Sequence, residues 1–151
     1  MSSATTHIPF IVLVLIPVVI AVGIPLTGPM TARMSGWAGL ARVYAADREC
    51  KGFKLIGRRG RFGKWMGYKG VLDYGVDDQG FYLSIAWLFK VGHPPMFFPW
   101  SEIQVREERM WFRDWVVLEF LQVPGVTFAL HHHDARILDK QGGKFGTRPK
   151  A

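Results

Sequence analysis

Residues 71–89 read VLDYGVDDQGFYLSIAWLF, and this stretch decides the fold. Val71 to Val76 has the composition of a strand. Asp77-Asp78-Gln79-Gly80 follows with turn chemistry: Asx side chains to start a turn, then a glycine that tolerates positive φ. From Phe81 to Phe89 the residues alternate, with Phe81, Leu83, Ile85, Trp87 and Phe89 on one face and Tyr82, Ser84, Ala86 and Leu88 on the other. Two such runs joined by a tight turn predict an antiparallel pair, so the domain is β.

Downstream the same pattern repeats. His93-Pro94-Pro95 marks a break or sheet edge, because proline cannot donate to a ladder, and Met96-Phe97-Phe98 resumes an extended run into Pro99-Trp100. Ser101 to Arg109 alternates with Ile103 and Val105 inward. Val116–Val123 and Val126–Leu130 predict a hairpin around Pro124-Gly125, and His133 to Lys140 two helical turns. The expected fold is mainly β, a curved antiparallel sheet or small barrel of six or seven strands with a short C-terminal helix. Its core draws on Leu83, Ile85, Trp87, Ile103, Leu118, Phe120, Phe128 and Leu130. A barrel or strong bend follows because closure removes exposed edges.

Upstream, residues 8–26 (IPFIVLVLIPVVIAVGIPL) hold nineteen residues without a charge, about 28 Å as a helix, close to the thickness of a bilayer's hydrocarbon. Pro17 should kink this helix and Pro25 mark its exit. A cleaved signal peptide is the rival reading, but the basic segment it needs before the apolar run is absent. No Lys or Arg precedes Ile8, whereas Arg33, Arg42, Arg48, Lys51, Lys54, Arg58 and Arg59 follow the span, which predicts a cytosolic C-terminal domain on the inner (plasma) membrane. The organisation read from this is a tail at 1–7, a transmembrane helix at 8–26, a linker at 27–50, a β-rich domain at 51–140 and a flexible basic tail at 141–151. Within the linker Met34, Trp37, Leu40 or Ala41 and Tyr44 recur at helical spacing, the mark of an amphipathic helix that packs on the domain, the second reading being a helix in the headgroup region with Arg33 and Arg42 on its wet side.

Two sequence steps carry a resemblance. Gly80-Phe81-Tyr82-Leu83-Ser84, Leu88-Phe89-Lys90, Gly92-His93-Pro94-Pro95 and Pro99-Trp100-Ser101-Glu102-Ile103 together resemble a run found in small bacterial single-pass membrane proteins. More distantly, the Pro-Trp-x-Glu-Ile step ending a strand resembles pleckstrin-homology-like and GRAM-like modules. That resemblance implies a headgroup-binding loop between the first two strands and a C-terminal helix longer than residues 133–140 supply.

Charge is concentrated where that loop would lie. Between Lys51 and Lys69 stand Lys51, Lys54, Arg58, Arg59, Arg61, Lys64 and Lys69 without one acidic residue, equal to the whole formal net charge of +7. Phe53, Phe62, Trp65 and Tyr68 interleave with them, and five glycines suggest a mobile basic loop. The candidate lipid-binding residues are Arg58, Arg59, Arg61, Lys64, Trp65 and Lys69, facing anionic headgroups. Single-stranded nucleic acid is the less favoured partner, and a bare topology signal is the plain alternative.

Other features carry less. In His131-His132-His133-Asp134, strand geometry lets only His131 and His133 share a face, so no metal is assigned. Trp111-Phe112-Arg113-Asp114-Trp115 reads first as core and second as a protein-interaction anchor. The lone Cys50 excludes an internal disulfide. No nucleophile elbow, phosphate loop, dinucleotide fingerprint or zinc-protease motif occurs, so no catalytic residue and no cofactor are assigned. The function expected is a membrane-anchored, non-catalytic module that binds anionic lipid headgroups or another membrane protein at the inner leaflet. The alternatives are a structural accessory subunit of a membrane complex and, behind it, a small metal-binding enzyme.

Overall fold

Period-two alternation becomes seven antiparallel strands in one sheet, ordered β4-β3-β2-β1-β7-β6-β5, in a computed structural model that describes residues 10–147. In the first helix it describes the backbone alone at 10, 13, 19–28 and 31. The elements are α1 (Phe10–Ser35), α2 (Trp37–Tyr44), β1 (Phe53–Phe62), β2 (Met66–Val76), β3 (Gly80–Ile85), β4 (Met96–Pro99), β5 (Ile103–Met110), β6 (Arg113–Phe120), β7 (Thr127–His131) and α3 (His132–Asp139). The sheet curls into a half-barrel with its apolar face inward: Leu72, Tyr74, Phe81, Leu83, Phe98, Leu118, Phe128 and Leu130 are all buried.

The two edge strands, β4 and β5, do not pair with each other; the short 3-10 turn Trp100–Glu102 carries the chain between them. Side chains bridge the gap instead. The rings of Phe98 on β4 and Phe120 on β6 lie 4.3 Å apart, and Tyr44 of α2 packs on both, at 4.9 and 5.9 Å. The Tyr44 hydroxyl accepts the Gln122 N–H, and Ala46 N–H donates to Pro95 O, so α2 is fixed to both sides of the opening. This helix buries Trp37, Leu40, Ala41 and Tyr44. The expected amphipathic stripe is thus real from Trp37 onward and belongs to the core, whereas Met34 points to solvent.

Several expectations are corrected. β3 stops at Ile85; a 3-10 turn spans Trp87–Phe89, and Trp87 is 79% exposed rather than core. The basic stretch is no mobile loop, because β1 and β2 pair as a long hairpin and only Gly63, Lys64 and Trp65 form its turn. Gly60 serves packing rather than mobility: a Cβ on it would fall 2.6 Å from the Phe128 ring. Residues 141–147, expected as a loose tail, fold back on the sheet. Asp139 accepts the N–H groups of Phe145 and Thr147 at 2.7 and 2.8 Å, and Phe145 is buried against Phe81 and Trp100.

The helix at the start of the chain runs past Pro25 to Ser35, 26 residues in all. The expected span at 8–26 falls largely on residues, or side chains, outside those described, and among the described residues no helix is long and apolar enough to cross a membrane.

Candidate functional site

The β1–β2 turn lies beside the end of α1. Gly63, with φ 57°, turns the chain, and its N–H donates to Thr127 O at 2.9 Å, which ties the turn to the start of β7. Between this turn and the end of α1 runs an open groove of about 470 Å³, lined by Arg33, Met34, Gly36, Lys64, Trp65 and Val126. Trp65 is 94% exposed and Lys64 is exposed beside it, so a large apolar ring and an ammonium both face solvent at the point where the helix meets the sheet.

Arg61 braces this turn from the outer face of β1. Its guanidinium donates to the Lys64 carbonyl, reaches the sulfur of Met110 at 3.9 Å and lies 5.9 Å from the Trp115 ring. The structure therefore brings Arg61, Lys64 and Trp65 together and adds Arg33, which was not among the candidate lipid-binding residues. Arg59 and Lys69 are exposed farther along the strands. Arg58 is engaged elsewhere: its Nη1 lies 3.7 Å from Asp134 Oδ1 at the start of α3, so it fastens that helix to the sheet.

A buried polar cluster lies under the same junction. His93 is only 3% exposed; its Nε2 is 3.0 Å from the Tyr68 hydroxyl, which lies 3.1 Å from Ser35 Oγ at the last residue of α1. Trp37 packs edge-on against the His93 ring at 5.0 Å and donates its Nε1–H to Pro94 O at 3.0 Å. Burial holds the His93 imidazole below its ordinary pKa. The sequence placed His93 in a turn beside two prolines, and nothing local to it announced the long-range partners Tyr68 and Ser35.

On the outer face of β2–β4 a cleft of about 330 Å³ is lined by Arg48, Lys54, Lys90, Cys50, Asp73 and Ser84, among others. Arg48 stacks over Phe97 at 4.3 Å. Burial pushes the Cys50 thiol up, away from the reactive thiolate form.

The histidine run does not converge. His131 packs against Trp115 at the end of β7, His132 is buried 3.4 Å from Glu107, His133 is exposed, and Asp134 is taken by Arg58. Among the described residues no group of three ligating side chains could hold a metal ion. The aromatic run divides too: Trp115 is half-buried, while Trp111 and Phe112 are 85% and 93% exposed.

No protein-family model matches this chain, and neither does any curated protein or solved structure.

Proposed function

We propose that this chain is a membrane-anchored, non-catalytic module that holds anionic lipid headgroups at the inner leaflet, in the manner of pleckstrin-homology-like and GRAM-like domains. The observation that carries the reading is that the exposed Lys64-Trp65 turn and Arg33–Gly36 at the end of α1 line one open groove. An anchor spanning residues 8–26 would leave Ser35 nine residues beyond it, about 13 Å along the helix, which is about 5–8 Å past a headgroup layer that is itself about 5–8 Å deep. Lys64, Arg33 and Arg61 then stand within about a Debye length of the phosphates, and Trp65 is within reach of the layer where amphipathic rings settle. Seven curled antiparallel strands are in keeping with the module the sequence resembles, whereas α3, with eight residues, is shorter than the C-terminal helix of that module.

The full chain in lipid nanodiscs tests it, with an environment-sensitive label at Trp65→Cys in a Cys50→Ser background. The label should shift to the blue as the anionic fraction of the disc rises and revert in 1 M salt, where the Debye length falls to about 3 Å. Arg61→Ala with Lys64→Ala should move the balance between apposed and free domain by roughly thirtyfold, at about 1 kcal/mol per charge near the surface. A label equally wet on neutral and anionic discs overturns the reading.

A further inference from the structure

The β5–β6 hairpin closes on two residues, since Met110 pairs with Arg113 and Trp111 and Phe112 form the whole turn. Both have positive φ, 51° and 62°. Two-residue turns with positive φ at both centres favour Asn-Gly or Asp-Gly, because a Cβ crowds the backbone carbonyl there, a strain that Gly lacks and that Asn and Asp offset by local hydrogen bonds. This turn instead carries two of the largest apolar side chains, and both stand in solvent, 85% and 93% exposed. Neither conformational preference nor packing within the chain accounts for them. Aromatics held at a strained, exposed position point to a partner that covers them.

The place of the tip selects that partner. Met110, the residue before the tip, lies 3.9 Å from the Arg61 guanidinium, and the same guanidinium donates to the Lys64 carbonyl. One side chain therefore links the aromatic tip to the basic turn beside the end of α1. Exposed Arg109 and Arg113 flank the tip, as cations flank aromatic rings at a bilayer surface.

We propose that Trp111 and Phe112 form a finger that inserts into the boundary between headgroups and acyl chains of the bilayer to which the chain is anchored, a second contact that works by apolar burial rather than by charge. It rests on the membrane apposition proposed above. Arg61 sets the spacing between the two contacts, the charged one at Lys64 and the apolar one at Trp111-Phe112.

The test uses the full chain in nanodiscs with an environment-sensitive label placed in turn at Phe112→Cys, Trp65→Cys and Asp78→Cys, each in the Cys50→Ser background. Lipids carrying a nitroxide high on the acyl chain report contact with the bilayer. The label at 112 should be blue-shifted and quenched at least twofold more than the label at 78, and 1 M salt should remove less of its quenching than of the response at 65. Quenching at 65 without quenching at 112 would overturn the finger and leave the headgroup-holding turn standing. Quenching at neither would overturn both. A label at 112 that is shielded from water by an added protein but untouched by lipid nitroxides would assign the tip to a protein pocket, and the finger would fall.

Discussion

Arg58 and Asp134 face each other at 3.7 Å between the middle of β1 and the first turn of α3, with the Asp134 side chain 8% exposed and that of Arg58 34%. The pair separates one arginine of the basic stretch from its neighbours: Arg58 anchors a helix, whereas Lys64 borders the groove at the end of α1 and Arg61 braces the turn that carries it. Stability and lipid contact should therefore separate. Arg58→Ala leaves the carboxylate buried without its cation and should cost about 1–3 kcal/mol, below the range for fully buried pairs because Arg58 is a third exposed. The label response at Trp65 on anionic discs should be unchanged. Thermal unfolding and the disc titration read the two effects, and a loss of lipid response at preserved stability would show that Arg58 serves the surface instead.

Asp139 clamps the end of the described chain. Its carboxylate accepts the Phe145 N–H, the Thr147 N–H and the Thr147 hydroxyl, at 2.7, 2.8 and 2.6 Å. Asp139→Ala removes all three hydrogen bonds and should release Phe145 from its place against Phe81 and Trp100. Burying a Phe is worth about 1.5–3 kcal/mol, so release should lower stability by about 2 kcal/mol. Limited trypsin digestion checks it directly: cleavage after Lys144 should be slow in the wild type and fast in the variant. Equal rates would mean the tail is held without the clamp.

His93 makes the junction between α1 and the sheet sensitive to acid. Burial lowers its folded pKa from the ordinary 6.5, so the unfolded chain binds the proton more readily than the folded one. The contribution of this neutral imidazole is fully present above about pH 6.5 and is lost as pH falls toward the folded pKa. The Tyr68 hydroxyl already gives its proton to Ser35 Oγ and can accept from Nε2, so protonation keeps this chain of bonds but puts a charge on a ring that is 3% exposed. Unfolding midpoints between pH 8 and pH 5 should thus decline in the wild type, and His93→Gln should flatten part of that decline. Parallel curves for both proteins would remove His93 as the cause.

Alternation was enough to place two of the strand pairs, because period two with a buried face and a tight turn fixes both element and register: Val76↔Phe81 brackets the Asp77 turn, and Leu118↔Phe128 brackets Pro124-Gly125. It could not show where a strand ends. From Phe81 to Phe89 the pattern never breaks, yet Ala86 N–H donates to Val71 O and the chain then leaves the ladder for a 3-10 turn. Glycine misled for a different reason. Gly57, at a register shift of β1, needs its φ of 67°, and Gly60 needs its missing Cβ against Phe128; in composition both look like loop. Of the candidate site, the charge excess was legible and its division was not. What separates Arg58 from Arg61 is Asp134 on one side and Lys64 with Met110 on the other, and contacts with Asp134 and Met110 exist only after folding.

The aromatic turn offers the sharpest trade between stability and surface. Trp111 and Phe112 hold φ 51° and 62°, a region that costs a bulky residue about 1–3 kcal/mol, and both are almost fully solvated, so they give the folded domain little packing in exchange. Replacing the pair by Asn-Gly supplies the residues this two-residue turn favours and leaves the Met110↔Arg113 pairing in place. The double variant should be more stable by about 1–2 kcal/mol, and the detergent-solubilised full chain should melt higher by roughly 4–10 °C. Circular dichroism melts of wild type and variant decide it. An unchanged or lower melting temperature would mean that the two rings stabilise the isolated domain after all, and the strained turn would then need no partner to explain it.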